Sequence, residues 1–163
     1  MDGVKEQLVS AKPGSKENLL RMLGWFLLLV SLPFIFLLGI YILIVWFGIG
    51  YLIYIIYIRT NVEYEYVFLD GSLTITKILG QNIRKKILSC EVKDFDHISS
   101  LNNHTLQSYE QKNFTQVDCG SGREENHYYA FVSEADKKIY FIEPDQDLME
   151  KIKYYNPRNT YLD

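Results

Sequence analysis

Cysteine is scarce in this chain, which has only Cys90 and Cys119. Two cysteines cannot form the disulfide framework of a small secreted protein, and in a cytoplasmic compartment both are expected to be reduced. The chain also has no large excess of positive or negative charge, since it contains 17 Lys and Arg residues and 20 Asp and Glu residues. Nucleic-acid binding needs a concentrated basic surface, so nucleic acid is not an expected partner.

Charge is missing altogether from residues 22–58, which contain no Asp, Glu, Lys or Arg. A core helix of a soluble protein has a polar face, whereas this segment has none, so its expected surroundings are lipid. A single straight helix of this length would reach roughly 55 Å, far more than the ~30 Å hydrocarbon core of a bilayer. The segment therefore predicts an integral membrane protein whose chain crosses twice.

A break near Leu38 and Gly39 divides the segment into two spans of suitable length and predicts a two-helix hairpin over residues 17–59. A break at either later glycine would leave the second span too short, and Pro33 is expected to kink the first helix. A cleaved signal peptide is the competing interpretation of the N-terminus. Its apolar region would be shorter and would end in a small-residue cleavage site, which is not visible.

The flanking charges predict the orientation of the hairpin. Arg59 follows the second span, and the connecting turn has no charge. Cytoplasmic flanks are enriched in Lys and Arg, so both termini of this multi-pass protein are expected on the cytoplasmic side of the cell membrane. The basic residues before the first span are Lys5, Lys12, Lys16 and Arg21.

Residues 1–16 are polar and are interpreted as a flexible lead-in to the first helix.

Beyond the hairpin, the sequence changes to the two-residue alternation of half-buried strands. Residues 62–68 alternate apolar and acidic side chains. The dipeptide Asp70-Gly71 then favours a tight turn into a second strand over residues 72–78. The alternation predicts an antiparallel hairpin.

The following residues are less regular. A third strand is predicted over residues 83–92, where the alternation slips at residues 87–88 and indicates a bulge. Residues 99–126 are polar, and a further strand is suspected near residues 113–117, because a loop of this length is uncommon in a compact domain.

The C-terminal part predicts a second hairpin and a helix. Its strands are expected over residues 127–132 and 138–142. Pro144-Asp145 then opens an amphipathic helix. The apolar face of that helix consists of Leu148, Ile152 and Tyr155.

Strands in two groups followed by one helix are the order of parts in pleckstrin-homology-like (PH-like) domains. Residues 61–78 (NVEYEYVFLDGSLTITKI) and 140–158 (YFIEPDQDLMEKIKYYNPR) resemble a family of small, uncharacterised membrane proteins of Firmicutes, especially Clostridia. The resemblance implies an α+β membrane protein. In it, a transmembrane helical hairpin is followed, over residues 60–163, by a cytoplasmic PH-like antiparallel sheet or open barrel with a C-terminal helix. It implies no catalytic residues.

Cys119 precedes a Gly-Ser-Gly run and is the candidate nucleophile of an enzyme, with His97, His104 or His127 as its base. The run has neither the strand-to-helix context of a phosphate-binding loop nor a G-x-S-x-G elbow, so a turn is expected. The scattered Cys and His residues lack the paired spacings of structural zinc. No catalytic residue, metal or cofactor is therefore expected.

A basic run at the start of the third strand has a physical mechanism, because Lys and Arg near a membrane surface attract anionic lipid headgroups. The competing interpretation is an outward strand face that resists edge pairing. Residues 59–163 carry 13 basic and 17 acidic side chains, which disfavours general adhesion to an anionic membrane. The sequence therefore predicts a membrane-anchored, non-enzymatic interaction module with an unknown protein partner, and anionic-lipid recognition is the alternative. The candidate headgroup contacts are Lys77, Arg84, Lys85, Lys86 and Lys93.

Overall fold

The computed structural model describes residues 4–101, 106, 108–109, 112–122 and 128–161. Within them, one strand precedes a helical hairpin, seven strands follow it, and a helix and a short strand come last. The strands form two sheets, and side chains from both sheets meet in one main core.

Two long apolar helices form the hairpin. Helix α1 (Ser15–Ser31) and helix α3 (Ile42–Thr60) are joined by two 3₁₀ turns and the short helix α2 (Ile35–Leu38). The helical stretches Ser15–Phe34 and Gly39–Thr60 are each long and apolar enough to cross a membrane. The predicted division of the segment into two helices is therefore confirmed.

The two helices pack closely and run in opposite directions. Gly24 of α1 lies against Ile53 of α3, where an added Cβ would be 2.8 Å from Ile53 Cγ1. Close approach at small residues is characteristic of helix packing in membranes. Gly39, at the predicted break, has a φ of +53°, a backbone conformation that glycine adopts without steric cost.

The first sheet is antiparallel and has the strand order β1–β2–β3–β4. Its first strand precedes the hairpin in the chain, and its second follows directly after α3. The strands are β1 (Lys5–Ser10), β2 (Val62–Leu69), β3 (Ser72–Leu79) and β4 (Ile83–Glu91).

The turn and the bulge predicted for this sheet are both confirmed. Asp70 and Gly71 have φ angles of 46° and 83°, as the tight hairpin turn requires. Ile75 of β3 pairs with Leu88 of β4, but the next residue of β3 pairs with Lys86. Ile87 is therefore the extra residue of a bulge.

The second sheet has the order β6–β8–β7–β5–β9 and corrects part of the prediction. The β7–β8 hairpin is confirmed, but β6 pairs with β8, and β5 with β9, in parallel. The prediction of an antiparallel sheet is wrong here because these partners are not consecutive strands, so no tight turn sets their direction. The strands are β5 (His97–Ser100), β6 (Thr115–Asp118), β7 (Tyr129–Ser133), β8 (Lys138–Ile142) and β9 (Thr160–Tyr161).

Helix α4 (Gln146–Tyr155) covers the main core, as its sequence predicts. Asp145 caps the helix, since its Oδ1 accepts a hydrogen bond from Leu148 N at 2.8 Å. Leu148 and Ile152 are fully buried. Tyr155 lies at the rim and packs edge-on against Phe68, with 5.5 Å between the ring centroids.

The interpretation of residues 1–16 as a flexible lead-in is wrong for β1, which pairs along β2. Lys5 Nζ lies 2.8 Å from Asp145 Oδ2, at the start of α4. Gln7 donates to Glu143 O and accepts from Asp145 N, both at 2.8 Å. The domain is therefore not confined to residues 60–163, because the hairpin is inserted between its first and second strands.

Candidate functional site

The junction between the hairpin and the first sheet is held by Arg21 of α1. Its Nε donates to Thr60 Oγ1 at 2.9 Å, and its Nη2 donates to Asn61 Oδ1 at 2.7 Å and also to Thr60 Oγ1. The guanidinium lies over the Tyr57 ring, 5.5 Å from the centroid. One side chain of α1 thus fixes the end of α3 and the residue that leads into β2.

The turn between β3 and β4 packs against the same place. Gly80 N donates to Asn61 O at 2.8 Å. A Cβ on Gly80 would lie 2.9 Å from Ile58 Cγ2, and the φ of +55° at this residue also suits glycine. The end of the first sheet where β2 starts, β3 ends and β4 starts therefore lies beside the last turn of α3. We call it the helix-proximal end.

Four of the five candidate headgroup contacts lie together near the helix-proximal end. By strand register, Lys77 lies opposite Lys85, on the sheet face that also carries Tyr64. Lys77 Nζ is 5.8 Å from the centroid of the Tyr64 ring. Arg84 and Lys86 are on the opposite face of β4. The cations therefore surround one strand and do not form a flat patch.

The fifth candidate, Lys93, does not belong to this group. Lys93 lies just beyond the end of β4. At about 3.3 Å per residue, that end is roughly 25 Å from Ile83, where the strand begins. The ammonium group of Lys93 forms an ion pair with Glu91. Arg84 also has a carboxylate neighbour, with 3.3 Å between its Nη1 and Glu65 Oε2. The structure thus separates Lys93 from the other candidates.

A buried polar network joins β2 of the first sheet to the segments that follow β6 and β8 of the second. Tyr66 Oη donates to Cys119 O at 2.8 Å and accepts from Glu143 N at 3.3 Å. Ser121 Oγ donates to Glu143 Oε1 at 2.8 Å. The Tyr128 hydroxyl also bonds to Glu143, and burial is the main reason that its pKa rises to about 12. The network satisfies buried polar groups and joins separate segments, so its evident role is structural.

The environment of Cys119 argues against a nucleophile. Its side chain is fully buried in the main core, and burial raises the pKa of the thiol to about 12. The reactive form of cysteine is the thiolate, which is scarce near neutral pH when the pKa is this high. His104 and His127 lie outside the described residues.

The other candidate base, His97, lies in a different environment from Cys119. Its ring stacks on Tyr109 at 5.7 Å and lies 4.8 Å from that of Tyr161, measured between centroids. Tyr109 packs against a second, smaller core, whereas Cys119 is in the main core. In the part of the chain that the structure describes, no cluster of metal-ligating side chains is found.

Acidification to about pH 5 is expected to destabilise the folded protein through His97. Burial lowers the pKa of His97 in the folded state, whereas in the unfolded chain the pKa keeps its ordinary value near 6.5. As the pH falls through that value, the unfolded state binds the proton first, so the free energy of unfolding decreases. Denaturant unfolding at several pH values measures this decrease.

The matched variant for this measurement is His97→Phe, which retains a ring between the two tyrosines. Its stability should fall less between about pH 7 and pH 5 than that of the unmodified protein. His104 and His127 are present in both proteins, so the difference isolates His97. Identical pH profiles would assign the titration to other groups.

An apolar depression of about 340 Å³ lies on the hairpin. Trp46 is one of its lining residues, and the indole Nε1 already donates to Ser31 Oγ at 3.0 Å. The depression therefore suits hydrocarbon better than a polar substrate. Its lining residues are Trp25, Leu28, Leu29, Leu32 and Trp46.

Sequence reasoning missed the contribution of β1 and the role of Arg21. In β1 the inward side chains include Lys5 and Gln7, so the apolar alternation that marks a strand is absent. Arg21 was noted for its charge, and its contacts with Thr60 and Asn61 depend on the hairpin bringing distant residues together.

The chain was compared with known families and proteins. A family model described as a bacterial PH-like domain (DUF6106) matches residues 1–162. No curated protein and no solved structure matches the chain. The matched region includes both β1 and the hairpin, in keeping with a sheet whose first strand lies ahead of the hairpin.

Proposed function

Since the chain belongs to the family of bacterial PH-like domains (DUF6106), we propose that it is a membrane-anchored, non-enzymatic interaction module of the cell membrane. PH-like domains are generally non-enzymatic interaction modules. In this chain, the hairpin anchors the domain and the domain presents a surface to a protein partner. A clostridial or other Firmicutes source remains a prediction.

The placement of the hairpin carries this proposal. The chain leaves the first sheet after β1, forms the hairpin and re-enters the sheet as β2, which pairs with β1. Both helix ends therefore meet the sheet at its helix-proximal end, where Arg21 bonds to Thr60 and Asn61. With the helices in a bilayer, the domain lies directly on the membrane surface with little freedom to move away.

The proposed orientation has both termini and the whole domain in the cytoplasm. Lys12 precedes α1, Lys16 and Arg21 lie in its first two turns, and Arg59 lies in the last turn of α3, all at the domain side. Residues 32–41, between α1 and α3, carry no charge. This distribution agrees with the enrichment of Lys and Arg in cytoplasmic flanks.

Cysteine labelling in intact cells is expected to show this topology. In a background with Cys90→Ser and Cys119→Ala, a membrane-impermeant thiol reagent should label Ile40→Cys, which lies in the exposed turn between the helices. Asp163→Cys, at the C-terminus, should react only after the cells are permeabilised. Labelling of Asp163→Cys in intact cells would contradict the orientation, and recovery of the protein in the soluble fraction would contradict the anchor.

Recognition of anionic lipid is a second candidate function, because the helix-proximal end places the start of β4 beside α3. Lys or Arg near an anionic leaflet is attracted to the headgroups. This function predicts that amide hydrogen exchange in β4 slows when the protein is moved from neutral to anionic bilayers. Equal exchange in both bilayers would exclude it.

A further inference from the structure

The outer edge of β4 is open in the described part of the chain. β4 is the last strand of the first sheet, and no other described strand pairs with its second edge. Residues 83–86 are all exposed, and the bulge at Ile87 ends this regular stretch. Unpaired backbone groups along such an edge are able to pair with another extended chain.

The positive charges at this edge are in excess of their described counter-charges. Lys77 and Lys85 lie directly opposite each other, and like charges in such a pair repel. On the other face, the register places Glu63 in line with Arg84 and Glu65 in line with Lys86, and Arg84 forms an ion pair with Glu65. The four cations outnumber these two carboxylates, so an additional anionic group would be stabilised at this edge, most directly beside Lys77 and Lys85.

The division of the cations between two faces discriminates among possible partners. A membrane surface is a plane and meets one side of the strand. An added strand instead runs alongside β4, and its side chains point alternately to both faces. It can therefore place one acidic side chain near Lys77 and Lys85, and its neighbours in sequence near Arg84 and Lys86.

We propose that residues 83–86 of β4 bind an extended acidic segment of another membrane protein as an added strand. The inference rests on the proposed membrane anchor, because the helix-proximal location puts β4 next to the membrane surface. Main-chain hydrogen bonds hold the segment, and a run of about three acidic residues matches the cations on the two faces. A second copy of this chain does not fit, since two β4 edges would bring cations together.

The test uses the full-length protein in nanodiscs of neutral phosphatidylcholine. The probe is a fluorescein-labelled hexapeptide with three consecutive glutamates flanked by threonine and valine, and binding is followed by anisotropy. Its control has the same side chains but is N-methylated at every backbone amide, so that neither edge of the peptide can donate hydrogen bonds to the ladder. We expect the control to bind at least about tenfold more weakly.

Charge variants locate the binding site. The double variant Arg84→Glu with Lys86→Glu should bind the peptide at least about tenfold more weakly. Lys153→Glu, an exposed change of the same kind on α4, should stay within about twofold. In the unmodified protein, the peptide should slow amide exchange in β4 and not in β6, an edge strand of the second sheet. This measurement does not depend on whether a charge variant folds.

Three results would overturn the proposal: equal binding of the N-methylated control, no protection of β4, or no peptide binding at all. Protection of β4 by anionic lipid without peptide binding would assign the edge to headgroups instead. These results leave the anchor and the orientation standing, because thiol labelling and membrane fractionation test those separately.

Discussion

Replacing residues 13–60 with a short turn is expected to yield a folded, water-soluble domain. Ser10 of β1 lies opposite Glu63 of β2, and Ala11 N donates to Val62 O at 2.9 Å. A turn of about four residues is therefore sufficient to join the strands. The change removes the apolar surface of the hairpin and leaves the core intact. Soluble expression and a cooperative thermal transition measure the outcome.

The control is a fragment that starts at Asn61 and lacks β1. It loses the buried Val9 and the two hydrogen bonds of Gln7 at 2.8 Å, and it leaves the edge of β2 unpaired. Domains are stable by only about 5–15 kcal/mol, so a loss of this size is expected to cause unfolding or aggregation. Equal stability of the two proteins would show that β1 is dispensable. Failure of both would show that the hairpin supplies part of the core.

Ile152→Ala is expected to destabilise the protein by about 2 to 4 kcal/mol. Ile152 is fully buried beneath α4, and the substitution removes apolar contacts and leaves a cavity in the main core. Denaturant unfolding of the soluble, hairpin-free domain measures the difference.

Lys153→Ala is the matched control on the same helix. Lys153 is exposed, so its substitution should change the free energy of unfolding by less than about 0.5 kcal/mol. Similar small effects from both substitutions would mean that α4 does not close the core. The observed burial of Leu148 beside Ile152 would then contribute little to stability.

The β2–β3 hairpin and the bulge in β4 were predictable because their signals are local. Asp70-Gly71 accepts the positive φ angles of a tight turn, and the slip at Ile87 is visible in the alternation itself. The strand suspected near residues 113–117 was found at Thr115–Asp118, displaced by a residue or two. Strand β5 was not predicted, because its four residues have no clear alternation.

The candidate site was predictable as a list of residues but not as an arrangement. Adjacent basic residues on a strand point to opposite faces, so Lys85 is separated from Arg84 and Lys86 by the sheet itself. The proximity of this group to α3 depends on the turn at Gly80, which packs against Ile58. The packing of Gly80 against Ile58 leaves no pattern in the sequence.

The sequence by itself determined the two apolar helices, the first β-hairpin and the buried face of α4, since each depends on the period or the turn chemistry of one continuous segment. Tertiary structure alone decided that β1 joins β2 across the hairpin and that β6 and β9 pair in parallel. These pairings join segments far apart in the chain. Their energy comes from backbone hydrogen bonds and side-chain contacts that exist only after the chain has folded.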